Sequence, residues 1–149
     1  MLASFSWGIY ALIASMSWGL IYVLSEKILR AGVSPVALQL FLGLVSMPVY
    51  IGLFLMLKNR KEDLQIVSEN LSLLWPIIIT GALVVVANLL ILFAVQEKNA
   101  TLVSFLEITY PIFTFIFAMW ILGDTQLTVS TLVGAGLIAL GTGTILLKG

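Results

Sequence analysis

Residues 74–95 read LWPIIITGALVVVANLLILFAV, an apolar run without one charged side chain. At 1.5 Å per residue such a run makes a helix about 33 Å long, which matches a hydrocarbon layer of about 30 Å. A barrel strand would alternate apolar and polar residues and turn after about ten. The run is continuous, and in lipid a helix satisfies its backbone groups within itself. Residues 74–95 therefore predict a membrane-spanning helix.

Four further windows of the same kind lie at residues 5–24, 36–57, 101–122 and 127–147. Every charged residue but Glu107 falls between or beyond these five windows. The whole chain agrees: 149 residues, 61% hydrophobic and 9% charged, where ordinary soluble domains carry about 25% charge. Its mean hydropathy is +1.17. Too few polar groups exist to cover a water-facing surface, so the expected fold is an all-α, multi-pass membrane protein, with residues 1–149 as one five-helix domain.

Absent residue types narrow the chemistry. There is no Cys and no His, so thiolate nucleophiles, disulfides, thiolate metal sites and the commonest general base and metal ligand are all missing. With one embedded carboxylate, an enzyme is not expected. Seven basic and seven acidic residues balance without a Lys/Arg stripe, which argues against nucleic acid. No nucleotide-binding glycine loop is present, and no cofactor or metal is called for. The first charge is Glu26, after the first apolar stretch, so that stretch is expected to remain as a span.

The connections are short except for residues 58–73, which open on Lys58-Asn59-Arg60-Lys61-Glu62-Asp63. This segment reads equally as a short interfacial helix, with Leu64, Ile66, Val67 and Leu71 toward the membrane, or as a solvated linker. Lys and Arg total three on one side and four on the other, so the usual charge bias is nearly nil. Either other signals fix a single orientation, or copies insert both ways up and pair antiparallel.

Polar groups inside spans are costly unless they face protein or water, so their angular positions carry information. At 100° per residue Ser15, Trp18, Tyr22 and Ser25 fall within an arc of about 80°, with Ser4 and Trp7 on the same line. In the second window Gln39, Gly43, Ser46 and Tyr50 share a face. In the third, Gly81 and Asn88 do. The fourth carries Ala100, Ser104, Glu107, Pro111, Thr114 and Ala118 along one side. Four such stripes are expected to surround a cavity lined by Ser15, Trp18, Tyr22, Gln39, Ser46, Tyr50, Asn88, Glu107, Tyr110 and Thr114. Small and hydroxyl residues also cement packed membrane helices, so for any single Ser or Thr packing is the better reading, while Gln39 and Asn88 suit an interhelical bond as well as a substrate. Trp7 reads as an interfacial anchor and Trp18 as a cavity wall.

Glu107 differs in kind. It lies about 10 Å into the fourth window, where an ionised carboxylate must line water, find a partner or carry a proton. No embedded Lys or Arg can pair with it. Two readings follow: a proton-coupling group, or a protonated structural hydrogen bond to Asn88 or Tyr110. The fifth window is rich in small residues, with Gly134, Ala135, Ala139 and Gly143 spaced for close helix contact. They are expected either to join two copies or to pack against the chain's own helices.

Taken together, the residues resemble the EamA-type domain of the drug/metabolite transporter superfamily. The resemblance rests on Ser17-Trp18-Gly19, Val33-Ser34-Pro35, Ala94 followed by Ala100, Tyr110-Pro111 with Leu122-Gly123-Asp124, and Gly134-Ala135-Gly136-Leu137-Ile138-Ala139-Leu140-Gly141. The chain departs from the family pattern at Gln39, where an Arg is usual, and at Asp124, where a Glu is. The resemblance implies one half of an inverted-repeat transporter, exporting or exchanging a small organic metabolite or drug across the inner or plasma membrane. It further implies a homodimer, or a heterodimer with a similar five-helix protein. A non-transporting membrane subunit or lipid-handling partner is the alternative.

Overall fold

The computed structural model describes residues 6–123 and 128–148, with side chains over 8–123 and 128–147. The readings that rest on Ser4, the Trp7 side chain, Asp124 and the window bounds Phe5 and Leu127 lie outside the described residues. Among those described there is no strand. Helices α1 Ser6–Arg30, α2 Pro35–Met56 and α3 Arg60–Glu69 are followed by a 3₁₀ turn, Leu71–Leu73. Then come α4 Leu74–Glu97, α5 Ala100–Glu107, α6 Tyr110–Ile121 and α7 Val129–Lys148. Five stretches are long and apolar enough to cross a membrane: Gly8–Arg30, Pro35–Met56, Leu71–Glu97, Ala100–Ile121 and Val129–Leu147. The protein is an all-α, multi-pass membrane protein.

Local chemistry explains the element ends. Lys27 and Arg30 occupy the last turn of α1, where positive charge meets the negative end of the helix. The chain then turns on Gly32, whose φ of +96° is strained for any residue with a Cβ, while its N–H reaches the Leu29 carbonyl at 3.0 Å. Ser34 starts α2 by accepting from the Ala37 N–H at 3.3 Å, and Pro35 supplies a first helical position that needs no donor. Asn99 starts α5 in the same way, accepting from the Leu102 N–H at 2.8 Å.

Residues 60–69 form a short helix. A difference from the sequence reading lies in the fourth span, read as one helix, where the structure ends α5 at Glu107 and starts α6 at Tyr110.

The described residues fall into two compact units, residues 25–96 and residues 1–24 with 97–149. In the first, the buried side chains are Ser25 and Leu29 of α1, Pro35 and Leu38 of α2, and Leu92 and Val95 of α4. These lie at the end where α1 hands over to α2. In the second, Tyr22, Ala100, Val103 and Thr142 are buried, α5 packs on α7, and α6 has no buried residue.

Replacing Gly32 by Ala is expected to lower stability by roughly 1–2 kcal/mol, the cost of a Cβ in left-handed backbone. Gly52→Ala in α2, where a Cβ meets nothing within 4 Å, should leave stability unchanged or slightly raise it. Detergent-unfolding midpoints of the two variants check the contrast.

Candidate functional site

The division of the fourth span has a covalent cause. Pro111 has no N–H, so the Glu107 carbonyl loses its partner four residues on. Neighbouring bonds tighten to the shorter three-residue pattern: the Thr109 N–H reaches Leu106 at 3.2 Å and the Ile112 N–H reaches Thr109 at 3.0 Å. The Thr109 hydroxyl also donates to the Leu106 carbonyl, at 2.8 Å. The span thus becomes two half-helices, α5 ending on Glu107 and α6 starting on Tyr110, with Pro111 as its second residue. Ile108 and Thr109 keep right-handed helical dihedrals, so Pro111 interrupts the bonding ladder without unwinding the span.

At the end of α5 the Glu107 carboxylate accepts a hydrogen bond from the Tyr22 hydroxyl of α1. Tyr22 is buried and Glu107 half-buried. One turn before it on α1, the Trp18 ring lies against the Tyr22 ring, with centroids 6.5 Å apart and planes tilted by 51°. This is a favourable aromatic arrangement that limits the swing of the phenol. Trp18 keeps 47% of its surface open, so it can offer a ring face while steadying Tyr22. The result is one carboxylate, one hydroxyl and one indole at a backbone break. Such a group can bind a proton and hydrogen-bond or stack a small solute.

The other sequence-selected residues divide between the two units. Ser15 of α1 is exposed. Beyond the break, Tyr110 and Thr114 of α6 are exposed, and the Thr114 hydroxyl donates to its own Tyr110 carbonyl at 3.0 Å. In residues 25–96, Gln39 and Asn88 are half-buried on α2 and α4, while Ser46 and Tyr50 of α2 are exposed. Ser46 donates to the Gly43 carbonyl at 3.4 Å. Ser46 and Thr114 therefore keep only acceptor lone pairs for a solute. On α7, Gly134, Ala135 and Gly143 are half-buried and Ala139 is exposed.

The expected stripe from Ala100 to Ala118 is carried by two helices, with Ala100, Ser104 and Glu107 on α5 and Pro111, Thr114 and Ala118 on α6. Sequence reasoning saw Tyr22 on the seam of helix one and Glu107 in the fourth span without pairing them. The available signal was that Trp18 and Tyr22 are the long donors of that seam, and of the two the phenol offers an O–H to a carboxylate.

Comparison with known proteins adds one finding. A family model described as the EamA-like transporter family matches residues 1–147. No curated protein and no solved structure matches the chain.

Tyr22→Phe, which keeps the ring and removes the donor, should cost about 1 kcal/mol of stability, the usual scale of a hydrogen bond between membrane helices. In a cycle with Glu107→Gln the losses should fall short of additive by a similar amount. Unfolding of the four proteins in detergent measures this, and additivity within about 0.5 kcal/mol would deny the pair any coupling.

Proposed function

We propose that this chain, which belongs to the EamA-like transporter family, is one five-helix half of a transporter for a small organic metabolite or drug. It works by alternating access in the cell membrane, paired with a second five-helix unit. The observation that carries this reading is the Glu107 carboxylate, held by Tyr22 where the fourth span breaks. A proton-loaded Glu107 is neutral and tolerates a closed, dry surrounding. Without the proton it needs the Tyr22 hydroxyl or water. Exchange of that proton on opposite faces of the membrane couples solute movement to a proton gradient, in export or exchange.

Around the carboxylate, Trp18 supplies a stacking surface, and Tyr22, Tyr110 and Thr114 supply hydroxyl oxygens. Ser15, Gln39, Ser46, Tyr50 and Asn88 are further candidate solute contacts on their own helices. Aromatic and hydroxyl groups of this kind suit amino acids, sugars, nucleosides and aromatic drugs.

Two features support a second unit, whether a copy of this chain or a similar five-helix protein. Five crossings place the chain's ends on opposite faces, so a tandem or paired unit completes an inverted repeat. On α7, Gly134, Ala135, Ala139 and Gly143 are small residues at spacings that suit close approach of a partner helix.

Purified protein in proteoliposomes tests the reading, with an imposed pH gradient and labelled amino acids, sugars, nucleosides and aromatic dyes as probes. At least one class should accumulate against its own gradient. Glu107→Gln should abolish that accumulation while leaving insertion and assembly intact. Full activity of Glu107→Gln across pH would remove the proton role. An assembled protein that moves no probe would favour a non-transporting subunit.

A further inference from the structure

The transport chemistry leaves residues 58–73 unused, although they form an ordered helix. Arg60, the first residue of α3, donates from its guanidinium Nη1 to the Leu55 carbonyl at 2.6 Å and to the Leu57 carbonyl at 3.3 Å. These are orphan carbonyls at the end of α2, so the start of α3 is bonded to the end of a membrane span. Only Leu57, Lys58 and Asn59 separate α2 from α3. Three residues reach at most about 11 Å. The headgroup layer is itself roughly 5 to 8 Å deep on each side. At its other end α3 leads through the 3₁₀ turn Leu71–Leu73 into α4. Both flanking spans meet the same membrane face, so α3 is confined to that face.

Its residues are sorted to match. At 100° per residue Lys61, Glu62, Gln65, Ser68 and Glu69 fall in an arc of about 120°, and Leu64, Ile66 and Val67 in an arc of about 160° on the other side. The apolar residues are not used up by the chain's own packing: Leu64 is 59% exposed, Ile66 57% and, in the following turn, Leu71 67%. Arg60 and Asp63 share the apolar side. Arg60 is committed to the α2 carbonyls, and Asp63 lies in the first turn, where the helix end favours negative charge. Lys58 and Lys61 are exposed, and among the described residues neither forms an ion pair.

We propose that α3 docks on the lipid surface, with Leu64, Ile66 and Leu71 seated at the boundary of headgroups and acyl chains and Lys58 and Lys61 on the phosphates of anionic lipids. The partner is the bilayer itself, because a helix bonded to a span's end and only three residues beyond it meets the headgroup layer. An apolar arc opposite a polar one is the pattern of helices that lie in the interface. On the polar arc Lys61 stands with Glu62 and Glu69, and Lys58 lies just before the helix. Juxtamembrane lysines add attraction to an anionic leaflet. The inference rests on the membrane-spanning fold and is independent of what the protein transports.

The absence of Cys makes single-site labelling direct. Nitroxides attached through Lys61→Cys, Glu62→Cys, Leu64→Cys, Gln65→Cys, Ile66→Cys, Glu69→Cys and Leu71→Cys are read in phosphatidylcholine vesicles with and without phosphatidylglycerol. The ratio of oxygen to nickel-chelate accessibility should be severalfold higher at 64, 66 and 71 than at 61, 62, 65 and 69. Phosphatidylglycerol should widen that contrast, and Lys58→Gln with Lys61→Gln should erase the lipid effect, measured with the label at 64. Uniform nickel accessibility along the helix would overturn the proposal in favour of a solvated linker. Protection from both reagents on the apolar arc would overturn it in favour of a protein partner. A contrast indifferent to phosphatidylglycerol would overturn the assignment of the lysines.

Discussion

A bilayer core offers no water to a polar group, and this constraint governs every element of the chain. It requires backbone donors and acceptors to pair within the segment, which is why the crossings are helices. It drives charge toward the ends of the spans: among the described residues Glu26, Lys27, Arg30 and Glu97 sit in the last turns of theirs, and only Glu107 carries a charge well inside one. There the carboxylate needs a donor, and the Tyr22 hydroxyl supplies one. One acid placed against the rule, with a dedicated partner, is the feature on which the proposed function rests.

The backbone break beside that acid follows from the same constraint. Pro111 withholds a donor from the Glu107 carbonyl, so the bonding ladder is interrupted at the residue that also carries the charge. Thr109 and the shortened bonds around it recover part of the loss. Side-chain acid and interrupted helical bonding are therefore one local feature. The exposed α6 and the small-residue faces of α7 belong to the same account, since an isolated five-helix unit leaves surfaces that lipid or a second unit must cover.

Much of the fold was legible because it depends on composition along the chain. Apolar runs such as residues 74–95 and the exclusion of charge need no knowledge of neighbours. Turn chemistry was also written locally, as in the Ser34-Pro35 start of α2. The site was half legible. The cost of a buried carboxylate singled out Glu107, and angular spacing put Trp18 and Tyr22 on one seam. Their union was not, because residues 85 positions apart are brought together by packing that periodicity does not encode. The division of the fourth span was not read either, because it depends on how the bonds around Pro111 rearrange. In residues 58–73, the helical pattern was weak in sequence, and the Arg60 bonds that anchor it depend on where α2 ends.

Infrared titration of the embedded carboxyl tests the central claim without knowledge of the solute. Purified protein in lipid vesicles is taken through a pH series, and the protonated-carboxyl band lost in Glu107→Gln is followed. The account predicts a band that appears and disappears reversibly with pH and shifts in Tyr22→Phe. No such band at any pH, or one that neither titrates nor responds to Tyr22→Phe, would contradict it.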